Sequence, residues 1–91
     1  MRAVIAVMGK DRPGIIAKVS DVCYRANSNI LDITQTVMQE SVFTMVMLVD
    51  LDGMAVGFGE FKEELQKLAG ELGGLEIHVQ REEIFSSMHR I

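Results

Sequence analysis

A chain of 91 residues with a formal net charge of −4 and 48% hydrophobic residues has room for one domain. It offers no basic stripe to a nucleic-acid backbone, and it carries more apolar side chains than so small a domain readily hides. Its one cysteine excludes an internal disulfide and a cysteine-rich metal centre and fits a reducing, cytoplasmic setting. No apolar run reaches the length of a membrane span, and the N-terminal one is too short for a signal peptide. Neither a membrane nor a nucleic acid is therefore an expected partner.

Residues 3–8 are apolar without alternation, which predicts a strand covered on both faces. Gly9-Lys10-Asp11-Arg12-Pro13-Gly14 follows, and then Ile15, Val19, Val22 and Ala26 recur at helical spacing. The expected helix runs over about 13–26. Asp11 is its expected cap, accepting the Gly14 amide, and Pro13 is tolerated in the first turn. Asn27-Ser28-Asn29 stops it.

A second strand is predicted over 30–38, a hairpin turn at Gln39-Glu40-Ser41, and a third strand over 42–50, again apolar on both faces. Asp52 to Gly57 reads as loop. The second helix is expected over 59–72, with Phe61, Leu65, Leu68 and Leu72 on one stripe. Gly73-Gly74 ends it. Residues 75–81 alternate, with Leu75, Ile77 and Val79 inward and Glu76, His78 and Gln80 outward. This makes residues 1–81 one domain. Residues 82–91 form a short docking tail with Ile84, Phe85, Met88 and Ile91 at helical spacing.

The order βαββαβ with right-handed crossovers gives an α+β, ferredoxin-like sandwich. Its four-stranded antiparallel sheet has both helices on one face, with strands one and three central. That leaves a question. Val42, Val46 and Leu48 cannot share a face with Phe43, Met45, Met47 and Val49. The second face is expected to be covered by a partner subunit, by the tail, or by both.

A turn with a carboxylate, a cation and a free glycine amide at a helix N-terminus can hold a small zwitterion. The same residues also make an ordinary helix start. Asp11 can be only a cap, Gly14 only a tight packing point, Arg12 only a solvated cation, and Asn29 a residue that satisfies backbone groups. Cys23 reads as a core residue. His78 and His89 lack metal-ligand spacing. An acylphosphatase-like reading of Arg12 with Asn27 or Asn29 lacks a general base and the expected glycine-rich loop. An RNA-recognition reading lacks stacking aromatics, since only Phe43 lies on a central strand.

Asp11-Arg12-Pro13-Gly14-Ile15, the helix, Asn29-Ile30 and the βαββαβ order together resemble the ACT domain, a regulatory ligand-binding module of amino-acid metabolism. Residues 30–38, Phe43-Thr44-Met45 and the tail Ile84-Phe85 with Met88-His89-Arg90-Ile91 look like the stand-alone UPF0237 family, itself similar to half of the glycine cleavage system repressor. The resemblance implies a homodimer or higher homo-oligomer. It also implies an amino-acid effector bound where the first loop meets a neighbouring subunit. Carried onto this chain, the site is Asp11, Arg12, Gly14, Ile15, Asn29 and Ile30. The Gly14 and Ile15 amides would accept a carboxylate, Asp11 would hold an ammonium, and Asn29, expected close to the loop, would bridge either group. No catalytic residue, metal or cofactor is implied. The alternative is a protein–protein interaction module acting through the sheet face or the tail.

Overall fold

The computed structural model describes residues 1–38 and 41–88. The elements are β1 (Arg2–Lys10), α1 (Ile15–Arg25), β2 (Asn29–Met38), β3 (Val42–Asp50), α2 (Phe58–Leu72), β4 (Leu75–Arg81) and α3 (Glu82–Met88). The sheet has the order β2-β3-β1-β4 and every pairing is antiparallel. The ferredoxin-like βαββαβ order is therefore as expected, and a third, short helix is added after β4. The turn expected at Gln39-Glu40 and the tail residues His89, Arg90 and Ile91 lie outside the described residues.

Register sorts the central strands into two faces. Ala3, Ile5 and Val7 of β1 align with Val49, Met47 and Met45 of β3, and all six are buried. On this face α1 lays Ile15, Val19, Val22 and Cys23, and α2 lays Phe61, Leu65 and Leu68. Each such side chain contributes about 1.5–3 kcal/mol by leaving water. Ile77 and Val79 of β4 complete the layer opposite Val7 and Ile5. Leu72, the last residue of the expected α2 stripe, is half-buried at its end.

The other face bears Val4, Ala6 and Met8 beside Leu48, Val46 and Thr44. The tail answers part of the question this raises. α3 packs on β1 and β4, and the Arg2 guanidinium reaches Glu82 at 2.8 Å. At that end Val4 is only 6% exposed, whereas Met8, further along the strand, is 50% exposed. In the single chain the far end of this face meets solvent.

β2 is an outer strand of ten residues without a proline or a lysine. Its one irregularity is a register shift between Ile30 and Asp32. Leu31, Ile33 and Val37 are exposed. Asp32 is the one charged residue of the strand, and its carboxylate accepts the Ile33 amide at 2.9 Å; beyond that stretch the edge is open to pairing with another strand.

Two corners are fixed by polar contacts. Asn27, with φ 59°, donates through Nδ2 to the Gly53 carbonyl at 2.7 Å, and the buried Ser28 hydroxyl donates to the Asp50 carbonyl at 2.9 Å. These bonds tie the α1–β2 turn to the segment that follows β3. At the other end of the sheet, the Gly9 backbone passes so close to the α2–β4 corner that a Cβ there would collide with the Gly74 carbonyl and with Leu75. Gly9→Ala is expected to cost about 1–3 kcal/mol, read as a lower urea midpoint at unchanged slope. An unchanged midpoint would show that the corner yields freely.

Candidate functional site

Helix α1 begins at Ile15, and its N-cap is Gly14, at φ 89° and ψ 1°, with no side-chain cap bond. The expected role of Asp11 as the cap is therefore corrected. A capping side chain belongs to the residue that immediately precedes the helix, and Asp11 stands well before that position. Its main-chain amide is drawn the other way, donating to the Ser41 carbonyl at 2.7 Å. Its carboxylate is left on the surface.

Gly14 is also not a packing point, because nothing lies within 4 Å of where its Cβ would be. Glycine is required there by the left-handed backbone, and the same lack of neighbours leaves the start of α1 open to approach. The first helical bond runs from the Lys18 amide to the Gly14 carbonyl at 2.9 Å. The amides ahead of it point out of the helix end, where the macrodipole is positive. Ile15 offers a site only its backbone, since its side chain is in the core.

Arg12 has a defined partner. Its Nη1 donates to the Leu72 carbonyl in the last turn of α2, where a cation complements the negative end of the helix. The β1–α1 loop is thus braced on one side by α2 and on the other by the β2–β3 connection. Lys10, Asp11, Arg12, Pro13 and Gly73 line a cavity of about 320 Å³ there.

Asn29 does not join this group within one chain. It aligns with Asp50, which aligns with Arg2, whereas Lys10 aligns with Val42. The nine residues of β1 put roughly 26 Å between those two ends. The expectation that Asn29 lies close to the loop is therefore overturned. α1 leaves the top of β1 and runs back along the sheet, so its two ends deliver Gly14 and Asn29 to opposite edges of the domain.

Asn29 instead lines a second cavity, of about 350 Å³, with Cys23, Tyr24, Asn27, Ser28 and Asp50. Tyr24 is 82% exposed. Asp50 accepts the Asp52 amide through Oδ1 at 2.9 Å. Burial pushes the Cys23 thiol up to about 11, so it stays protonated near neutrality and is a poor nucleophile. Tyr24 and Asp50 escaped the reading of the sequence as site residues, and Asn27 entered it only in the acylphosphatase-like alternative. A tyrosine on the polar side of a helix and an asparagine in a helix-ending turn are both commonplace, and only the cavity singles them out. Among the described residues no group of histidines, cysteines and carboxylates could hold a metal ion. Among those residues no helix is long and apolar enough to cross a membrane.

The sequence model of the ACT domain matches residues 2–80. The chain belongs to the ACT domain family. It is 51% identical over 90 residues to a UPF0237 protein of Methanopyrus kandleri, covering 99% of this chain and 98% of the relative. An ACT domain protein from Streptococcus pneumoniae superposes with a TM-score of 0.79 at 36% identity, over 98% of each chain. A protein described as a glycine cleavage system transcriptional repressor matches at a TM-score of 0.63 and 28% identity. That match covers 88% of this chain but only 44% of the repressor. The ACT domain is a regulatory, ligand-binding module, and the open start of α1 is the part of this one that suits an anionic group.

The backbone at Gly14 supplies a direct check. Gly14→Ala is expected to lower stability by about 1–2 kcal/mol through the left-handed φ alone, although the new methyl meets nothing. Thermal unfolding reads this. A neutral substitution would mean that the loop relaxes to a different start for α1.

Proposed function

We propose that this ACT domain is a non-enzymatic cytoplasmic sensor of an amino acid, acting as a homodimer without a cofactor. In this reading each ligand sits between the β1–α1 loop of one protomer and the partner subunit's Asn29 and Ile30. The observation that carries the proposal is the outer position of the ten-residue β2 with its exposed Leu31, Ile33 and Val37. Two β2 strands that pair antiparallel about a two-fold axis reverse one another. That reversal brings the start of one β2 to the end of the sheet where the other protomer holds Asp11 and Gly14. The separation of Asn29 from the loop within a chain is then what a shared site requires.

The chemistry fits a zwitterion. The free amides at Gly14 and Ile15, at the positive end of α1, accept a carboxylate. The exposed Asp11 carboxylate takes an ammonium. The side-chain amide of Asn29 both donates and accepts, so it serves either group. Half-buried Ile30 adds an apolar wall. Arg12 braces the loop against α2. The likeness to part of a glycine cleavage system regulator is in keeping with control linked to amino acids.

A thermal-shift screen over the twenty amino acids tests this. A ligand at 100 times its dissociation constant stabilises by about 2.7 kcal/mol, which in a domain of this size raises the midpoint by roughly ten degrees. Asn29→Ala is expected to remove the shift and leave the apo midpoint in place. A shift that survives Asn29→Ala would put the site elsewhere. No shift with any amino acid would favour an interaction module that uses the open sheet face or the tail.

A further inference from the structure

We propose that the open end of the second sheet face is an interface with a second copy of this chain, in which the α3 of each protomer covers Met8 of the other. The contact uses neither the β2 edge nor the amino-acid site.

Register and length lead there. Arg2, Val4, Ala6, Met8 and Lys10 of β1 alternate onto this face. α3 packs on β1 and β4 at the Arg2 end, where Arg2 meets Glu82 at 2.8 Å and Val4 is 6% exposed. A helix of seven residues is about 10 Å long and about 10–12 Å across, whereas β1 runs roughly 26 Å from end to end. In either orientation one α3 leaves room for a second beside Met8, which is 50% exposed. α3 itself is apolar beyond what its own sheet uses. Phe85 is half-buried, but its neighbour Ile84 is 49% exposed.

A two-fold axis between two such faces, perpendicular to the strands, fits these parts together. It sets β1 over its own copy with the direction reversed. The Arg2 end of one protomer, with α3 on it, then stands over the partner's Met8 and the partner's Lys10. Ile84 meets the partner's Met8, and the two short helices share one layer between the sheets. Pairing of β2 edges turns protomers within the plane of the sheet and leaves both open faces on one side. Two β2-paired dimers therefore stack through this face into an assembly of four chains.

Charge agrees with that placement. β1 carries a cation at each end of this face, Arg2 and Lys10, and α3 opens with two carboxylates, Glu82 and Glu83. Within the chain Arg2 takes Glu82. Lys10 and Glu83 are both exposed, and the reversal brings Glu83 to the partner's Lys10. The surface is thus complementary to itself in shape, apolarity and charge.

The test is sedimentation equilibrium of the full chain over a concentration series. The wild-type chain is expected to reach four copies. Met8→Lys and Ile84→Lys should stop at two, with the second association weakened at least tenfold. Lys10→Glu and Glu83→Lys should each weaken that step, and the two together in one chain should restore it. Cross-linking checks the contact without relying on the stability of those variants. Met8→Cys chains mixed with Ile84→Cys chains should form a disulfide between the two kinds of chain on mild oxidation, and neither kind alone should do so.

A wild-type chain that never exceeds two copies, with that dimer indifferent to Met8→Lys and Ile84→Lys, would overturn the proposal and leave the face to a different protein or to the chain's own last residues. So would cross-linking of Met8→Cys chains to one another, which puts bare sheet on bare sheet, or charge exchange that restores nothing. Each of those outcomes leaves the amino-acid sensor standing.

Discussion

The crossover from β1 to β2 takes α1 back along the length of the sheet, and the placement of the candidate residues follows from it. The helix buries Ile15, Val19, Val22 and Cys23 against the central strands, so its direction cannot change without dismantling the core. Because it runs antiparallel to β1, the loop that starts it and the turn that ends it lie at opposite edges of the domain. Gly14 is at one edge and Asn29 at the other. In the proposed reading a single chain offers each half of a zwitterion site, and a second copy brings the halves together.

The apolar surplus of the chain has the same resolution. One sheet face is filled by α1 and α2. The other is shared between α3, which covers Val4, and open space around Met8. A third apolar surface lies along β2. Of these, β2 is the one that adds edge backbone to its exposed side chains, and unpaired edge backbone is the stronger drive to association. Arg12 and Asp11 add stiffness to the account. One ties the loop to the last turn of α2 and the other ties it to Ser41, so the start of α1 is held in place ahead of any ligand.

Much of this fold was legible in the sequence because two periodicities carry it. Strands one and three read as central because they are apolar without alternation, and β4 read as an edge because Leu75, Ile77 and Val79 alternate with polar residues. The bounds of α2 were visible from its stripe and from the glycine pair behind it. The start of α1 was misplaced for a local reason. Asp-x-Pro-Gly has the residues of a cap and a first turn, but Gly14 adopts a left-handed conformation and Asp11 bonds across to Ser41, a partner thirty positions away. Asn29 was misplaced for a global one. The βαβ order itself sets the start of β2 at the end of the sheet away from the β1–α1 loop, and in the proposed pairing only a second chain brings the two together. Tyr24 and Asp50 were invisible because neither belongs to a motif and each gains significance only from the cavity they share.

The account rests on β2 being paired in the working protein. Amide hydrogen exchange along β2 measures this directly. The β2 amides that do not bond to β3 should be protected at high protein concentration and should exchange rapidly once the protein is diluted to monomer. Fast exchange at those positions in a sample that sizes as a dimer would contradict the account, because the two halves of the site would then have no means of meeting.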